Sequence, residues 1–199
     1  MGKRYNLLLA GVGGQGLLTL GSIIGNAAIV RGYNITIAET HGMSQRGGSL
    51  VVHIRIGEGE SPLIPHGATN LLIGMEAIET ARYIPYCSRE TAIVMNKFIW
   101  PPPLAETPSL EQLVGEIKKR VENLYIVDAN RIAIEETGLI VTANTVALGY
   151  AVAVVDSLSK LFSIEDIEKG IERVFKGKAL ELNKKALHRG YEEGLKAKR

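Results

Sequence analysis

Thiols are almost absent from this chain: Cys87 is the only cysteine among 199 residues. One thiol excludes an intramolecular disulfide, and it excludes a thiolate cluster for zinc or iron–sulfur, since these need several cysteines. If the protein takes part in redox chemistry, its metal cluster is expected on another chain. Long apolar runs are also missing. The most apolar stretch, Val141 to Val155, is broken by Thr142, Asn144, Thr145, Gly149 and Tyr150, so no membrane span of about 20 residues is expected. Met1 to Asn6 carries Lys3 and Arg4 ahead of a short apolar run; this is not a secretory signal, and a cytoplasmic location is the expectation. The four histidines have no metal-ligand spacing, and neither a G-x-S-x-G elbow nor a P-loop is present.

What is present in excess is glycine. Of 22 glycines, more than half fall before residue 75. The length suits one domain over residues 1–199 with a single core, and 46% hydrophobic with 22% charged residues describes an ordinary globule. Net charge is +2, but Lys176 to Arg199 is strongly basic and the remainder is slightly acidic. A nucleic-acid surface would interleave stacking aromatics with its basic residues. Here only Tyr191 does so, and the basic tail reads as a solvated helix face.

Along the chain, apolar and β-branched runs predict strands at Tyr5 to Ala10, Asn34 to Glu39, Ser49 to Ile56, Asn70 to Gly74, Thr91 to Met95 and Asn123 to Val127. Helical spacing predicts helices from Gln15 to Arg31, Met75 to Tyr86, Ser109 to Val121, Thr142 to Leu158, Ile164 to Phe175 and Leu180 to Lys196, and a helical turn at Asp128 to Glu136. Ser109 and Ser163 stand where N-caps belong. Pro101, Pro102 and Pro103 mark an extended connector. In the strand at Ser49, residues Leu50, Val52, Ile54 and Ile56 share one face, which leaves Ser49, His53 and Arg55 on a face expected to be polar or wet. In the last helix Leu180, Leu187, Tyr191 and Leu195 are expected to form one apolar stripe. The fold class that follows is α/β and Rossmann-like: a mainly parallel sheet with helices on both faces and a helical C-terminal third. The first two strands form a βαβ unit and are expected to be parallel.

Gly11, Gly13, Gly14, Gln15 and Gly16 lie between the first strand and the first helix and match G-x-G-x-x-G. In dinucleotide folds such glycines permit the tight turn, the approach of a phosphate and close helix packing. Glu39, 23 residues past Gly16, would be the ribose-binding acid. Equally, three glycines allow tight packing in a fold that binds no cofactor. Gln15 reads as a cap for its own helix or as a ligand contact. A second loop, Gly42 to Gly48, offers Ser44, Gln45, Arg46, Gly47 and Gly48. Its arginine suits a phosphate or carboxylate, an acid on a partner, or solvent. Both loops are expected to meet at the sheet edge where α/β proteins dock ligands. Asn144 and Thr145 most simply cap the apolar helix.

The segments GVGGQG at Gly11 to Gly16, ETHGMSQRGGSLVVHIRIG at Glu39 to Gly57 and ANTVALG at Ala143 to Gly149 resemble the gamma subunits of 2-oxoacid:ferredoxin oxidoreductases, and within them the small subunit of the indolepyruvate type. The resemblance implies a small, cofactor-free subunit. It implies a larger partner carrying thiamine diphosphate, magnesium and iron–sulfur clusters, which converts an aryl pyruvate to an acyl-CoA and passes electrons to ferredoxin. It further implies that Gly11, Gly13, Gly14, Gln15, Gly16, Ser44, Gln45, Arg46, Gly47 and Gly48 contact coenzyme A or the partner, with no catalytic residue and no metal ligand on this chain. The rival readings are a free-standing NAD- or flavin-binding oxidoreductase and a nucleotide-binding regulatory module.

Overall fold

The computed structural model describes residues 4–42, 47–101 and 106–198. Six strands form one sheet: β1 (Tyr5–Val12), β2 (Ile35–His41), β3 (Ser49–Ile56), β4 (Thr69–Gly74), β5 (Cys87–Asn96) and β6 (Asn123–Val127), in the order β2-β3-β1-β4-β5-β6. β1, β4, β5 and β6 pair in parallel, while β3 runs antiparallel to both β1 and β2. β1 and β2 therefore point the same way, as the βαβ reading requires, but they do not touch. The chain leaves β2, returns as β3 and inserts between them. The short Gly42–Gly48 connection dictates the antiparallel pairing of β2 with β3, because a few residues can join antiparallel neighbours and cannot make a parallel crossover.

The helices are α1 (Leu17–Val30), α2 (Ala77–Arg82), α3 (Leu110–Lys118), α4 (Ala129–Thr137), α5 (Ala143–Val154), α6 (Asp156–Ser159), α7 (Ile164–Val174) and α8 (Gly177–Ala197). The predicted helix through Tyr86 stops at Arg82 and tightens into a 3-10 turn at Ile84–Tyr86 around Pro85. Ser109 and Ser163 both form capping boxes, with Gln112 and Asp166. Alternation along β1 sends Leu7 and Leu9 to one core, beneath α1, α5, α7 and α8. Leu8 and Ala10 go to the other, beneath α2 and α3.

α5 is buried along its whole length. That assigns the apolar run after Val141 to the protein's own core. α5 packs against α8 by way of glycines. A methyl group added at Gly149 would overlap the Leu187 carbonyl oxygen, and one at Gly190 would overlap that of Val146. The stripe expected on α8 is only partly the one observed. Leu187 is fully buried and Leu180 and Tyr191 pack at its margin, but Leu195 is exposed; Asn183, Ala186, Gly190 and Gly194 face α5 instead. Close helix approach needs small residues, so the seam is made by residues that carry no hydrophobic signal.

The second face of β3 is not wet at His53. That residue is 3% exposed, and its Nδ1 accepts the Ile64 N–H at 3.2 Å while Tyr86 meets the ring edge-on. The segment around Ile64 folds over this face and covers it. Burial pushes the His53 pKa below its ordinary value of about 6.5. The unfolded chain then binds more protons than the folded one just below that value, so His53 contributes stability that is lost as pH falls through it. The melting temperature is expected to drop between pH 7.5 and pH 5. His53→Gln, which keeps an acceptor and does not titrate, should narrow the drop; an unchanged drop in calorimetry would remove this residue from the account.

Candidate glycine-loop site at the sheet edge

At the C-terminal end of β1 the chain turns through Gly13, Gly14 and Gln15 and enters α1 at Gly16, a left-handed N-cap with φ 71°. Such a φ favours glycine. Gly14 lies exposed at the tip of the turn, and Gly11 still belongs to β1, opposite Leu50. The two glycine loops do meet. The Gly13 N–H donates to the Gly48 carbonyl at 3.0 Å, Gly47 lies against Gly13, and Gly42 N–H donates to the Ser49 carbonyl at 2.7 Å. Ser44, Gln45 and Arg46 lie outside the described residues.

Gln15 neither caps α1 nor points out toward a ligand. Its Oε1 accepts the Val12 N–H at 2.9 Å, and its Nε2 donates to the Met75 carbonyl at 3.0 Å. The same carbonyl accepts from Asn96 Nδ2, and Asn96 Oδ1 accepts the Ala129 N–H. Gln15 and Asn96 thus bridge β1, β4, β5 and the start of α4 across the sheet edge. From sequence Asn96 carried no signal, being one asparagine at the end of an apolar strand.

Asn144 also departs from the expectation. The N-cap of α5 is Thr142, which makes no side-chain cap bond. Asn144 sits two residues further in, 3% exposed, and its Nδ2 donates to the Gly16 carbonyl at 2.9 Å. Its Oδ1 accepts the Thr145 N–H at 2.7 Å, and the Thr145 hydroxyl donates its one proton to Asn183 Oδ1 at 2.7 Å. A side chain at Gly16 would strike the Asn144 amide. The first glycine loop is therefore locked to α5 and α8. Nearby, a small hollow of about 160 Å3 is lined by Thr19, Leu139, Val141, Asn144 and Phe175, and Leu139, Ile140 and Val141 are exposed in succession.

The dinucleotide arrangement is not assembled. In that fold the strand bearing the ribose acid lies beside β1; here β3 occupies that place. Glu39 is exposed on the sheet margin, paired with His41 at 3.4 Å and two strand spacings, about 10 Å, from β1. A cavity of about 860 Å3 opens at the other end of the sheet, around Asn6, Arg55 and Asn70. Its Arg55 is engaged in holding the loop after β3, bonding Asn6 Oδ1 and the carbonyls of Ser61 and Leu63. Cys87 fits no metal cluster: it has no second thiol, and burial pushes its thiol up to about 12. Among the described residues no group of three His, Cys, Asp or Glu is placed to hold a metal ion, and no helix is long and apolar enough to cross a membrane.

Residues 6–193 match the family model described as pyruvate ferredoxin/flavodoxin oxidoreductase. The chain belongs to this family. Indolepyruvate oxidoreductase subunit IorB of Archaeoglobus fulgidus is 39% identical over 197 residues, covering 96% of each chain. Among solved structures, the pyruvate oxidoreductase subunit PORC of Thermotoga maritima shares the fold with a TM-score of 0.72 at 22% identity, covering 96% of this chain and 97% of that one. A 2-oxoglutarate:ferredoxin oxidoreductase from Magnetococcus marinus, solved with 2-oxoglutarate, coenzyme A and succinyl-CoA bound, gives a TM-score of 0.73 at 19% identity. It covers 99% of this chain but only 32% of its own. One family fold thus occurs both as a separate subunit and as about a third of a longer chain. The mixed sheet and the helical C-terminal part are those of this family.

Proposed function

We propose that this chain is the small subunit of a ferredoxin-dependent 2-oxoacid oxidoreductase of the indolepyruvate type. The observation that carries the reading is the 39% identity over nearly the entire length to an IorB subunit. The chemistry in this reading, oxidative decarboxylation of an aryl pyruvate to an acyl-CoA with electrons passed to ferredoxin, belongs to a larger cytoplasmic partner. That partner would carry thiamine diphosphate, magnesium and the iron–sulfur clusters. Among the described residues no group of three His, Cys, Asp or Glu is placed to hold a metal ion, and in this reading the chain's part is to bind and to shape.

Its binding face for the phosphate groups of coenzyme A, in this reading, is the edge where Gly11 to Gly16 meets Gly47 and Gly48, and Ser44, Gln45 and Arg46, outside the described residues, are assigned to the same role. Helix N-termini and glycine turns suit phosphate because backbone N–H groups can approach it closely. The coenzyme A bound in the 2-oxoglutarate enzyme supports the choice of ligand. The exposed run Leu139, Ile140 and Val141, next to the Asn144 lock, favours the partner subunit as a second occupant of the same edge.

The test is reconstitution with the larger subunit that this chain captures from native cell extract. Indolepyruvate- and coenzyme A-dependent reduction of a low-potential dye is expected only when both proteins are present. Turnover by this chain alone, or micromolar binding of NAD(H) or FAD in a titration that Glu39→Ala weakens, would return the free-standing oxidoreductase or the nucleotide-binding module.

A further inference from the structure

Ser49 opens β3 directly after Gly47 and Gly48 and is the last partner of Val12 in the β1–β3 ladder. Its hydroxyl donates to Glu79 Oε2 at 2.5 Å and lies 3.1 Å from the Tyr83 hydroxyl. Glu79 is 6% exposed, on α2, with Arg82 Nε at 3.2 Å as its cation. Its carboxylate is not needed to start the helix, since Glu76 Oε2 caps α2 by accepting the Glu79 N–H at 2.7 Å. Ile78, Ala81 and Tyr83 on the same segment pack on the apolar core. A carboxylate is costly in such a place unless hydrogen-bonded, and beyond Arg82 what Glu79 holds is the first residue after the second glycine loop. Strand ends fray unless tied. Ser49 is tied by the Gly42 N–H on its carbonyl and by Glu79 on its side chain, and the residue before it carries the Gly13 bond.

We propose that Glu79 is a positioning residue: through Ser49 it holds Gly47 and Gly48 on Gly13 and so sets the affinity of this edge for the phosphates of coenzyme A. The inference rests on the reading of the edge as a coenzyme A face. Because Arg82 and Ser49 both engage the carboxylate, Glu79 acts on the backbone geometry without presenting a free charge to an anionic ligand.

The experiment uses the complex reconstituted with the larger subunit. Ser49→Ala and Glu79→Gln are each expected to raise the KM for coenzyme A about five- to tenfold with kcat changed less than about twofold, the signature of lost ground-state positioning. Ser49→Thr, which keeps the hydroxyl, should restore the wild-type KM. Gly13→Val, which crowds the loop face itself, serves as the reference. If Gly13→Val raises the KM while Ser49→Ala and Glu79→Gln do not, the positioning role falls and the coenzyme A face stands. If none of the three moves it, the coenzyme A face falls and the inference with it. Should Glu79→Gln fail to assemble, Ser49→Ala with its threonine rescue decides.

Discussion

Gly190→Ala is expected to lower the melting temperature by about 2–12 °C, although alanine is the better helix former by about 1 kcal/mol. The reason is the α5–α8 seam. The added methyl would overlap the Val146 carbonyl oxygen and lie 2.8 and 2.9 Å from two further backbone atoms of that residue. The backbone of a fully buried helix cannot step aside, so α8 must move outward and open the seam along Ala186, Leu187 and Gly194. Overpacking of this kind costs typically 1–3 kcal/mol and more where backbone is the obstacle, and a chain of this length loses about 2–4 °C per kcal/mol. Gly115 is the control. It lies in α3 with nothing within 4 Å of an added methyl, so Gly115→Ala should be stabilising by up to about 1 kcal/mol. Thermal melts that gave both substitutions the same sign would show that α5 and α8 do not approach as closely as described.

Asn144→Asp is expected to be the second severe change, and its pH dependence identifies the cause. The substitution keeps the side chain's shape and replaces the Nδ2 donor with an oxygen facing the Gly16 carbonyl. The other oxygen still accepts from Thr145. An ionised carboxylate at a 3% exposed position, set against a carbonyl, costs on the order of 2–4 kcal/mol. A protonated one can donate to Gly16 as the amide does. Burial and the facing carbonyl raise the folded-state pKa of the new acid above its unfolded value of about 3.9. The folded variant then holds a proton that the unfolded chain has released, and its stability is lost as pH rises through that interval. The gap in melting temperature between wild type and variant should therefore widen from pH 4.5 to pH 8. The His53 effect is common to both proteins and cancels in the difference. A gap independent of pH would mean that Asn144 matters through packing and not through its donor. In the reconstituted complex the same variant should weaken coenzyme A saturation, because Gly16 is the residue it releases.

The elements were legible because their causes are local. Ser49 to Ile56 and Asn123 to Val127 occupy the strands their β-branched runs predict, and Ser109 and Ser163 start helices with the capping boxes their neighbours supply. The convergence of the two glycine loops was legible too, since a strand–loop–helix and the hairpin beside it leave few places for their ends. The cap reading of Asn144, and the cap alternative for Gln15, assign a local signal to a local partner. Gln15 Oε1 does take a local partner, the Val12 N–H, but Gln15 Nε2 and Asn144 Nδ2 donate to carbonyls 60 and 128 residues away. Glu79 and Asn96 gave no signal at all; one polar residue in an apolar segment takes its meaning from what folds against it.

The sequence by itself determined that this is a glycine-rich α/β domain without the thiols for a cluster, and its loop motifs placed it among the subunits of 2-oxoacid oxidoreductases. The fold class and the lack of thiols follow from composition and short-range spacing, and the family from the resemblance of those motifs. Tertiary structure alone decided that β3 separates β1 from β2 and strands Glu39 at the margin. It also decided that Gly149 and Gly190 form a helix seam, and that Gln15, Asn96 and Asn144 brace the glycine edge. Each of these depends on strand order or on backbone approach between distant segments, and neither is encoded in the periodicity of any one of them.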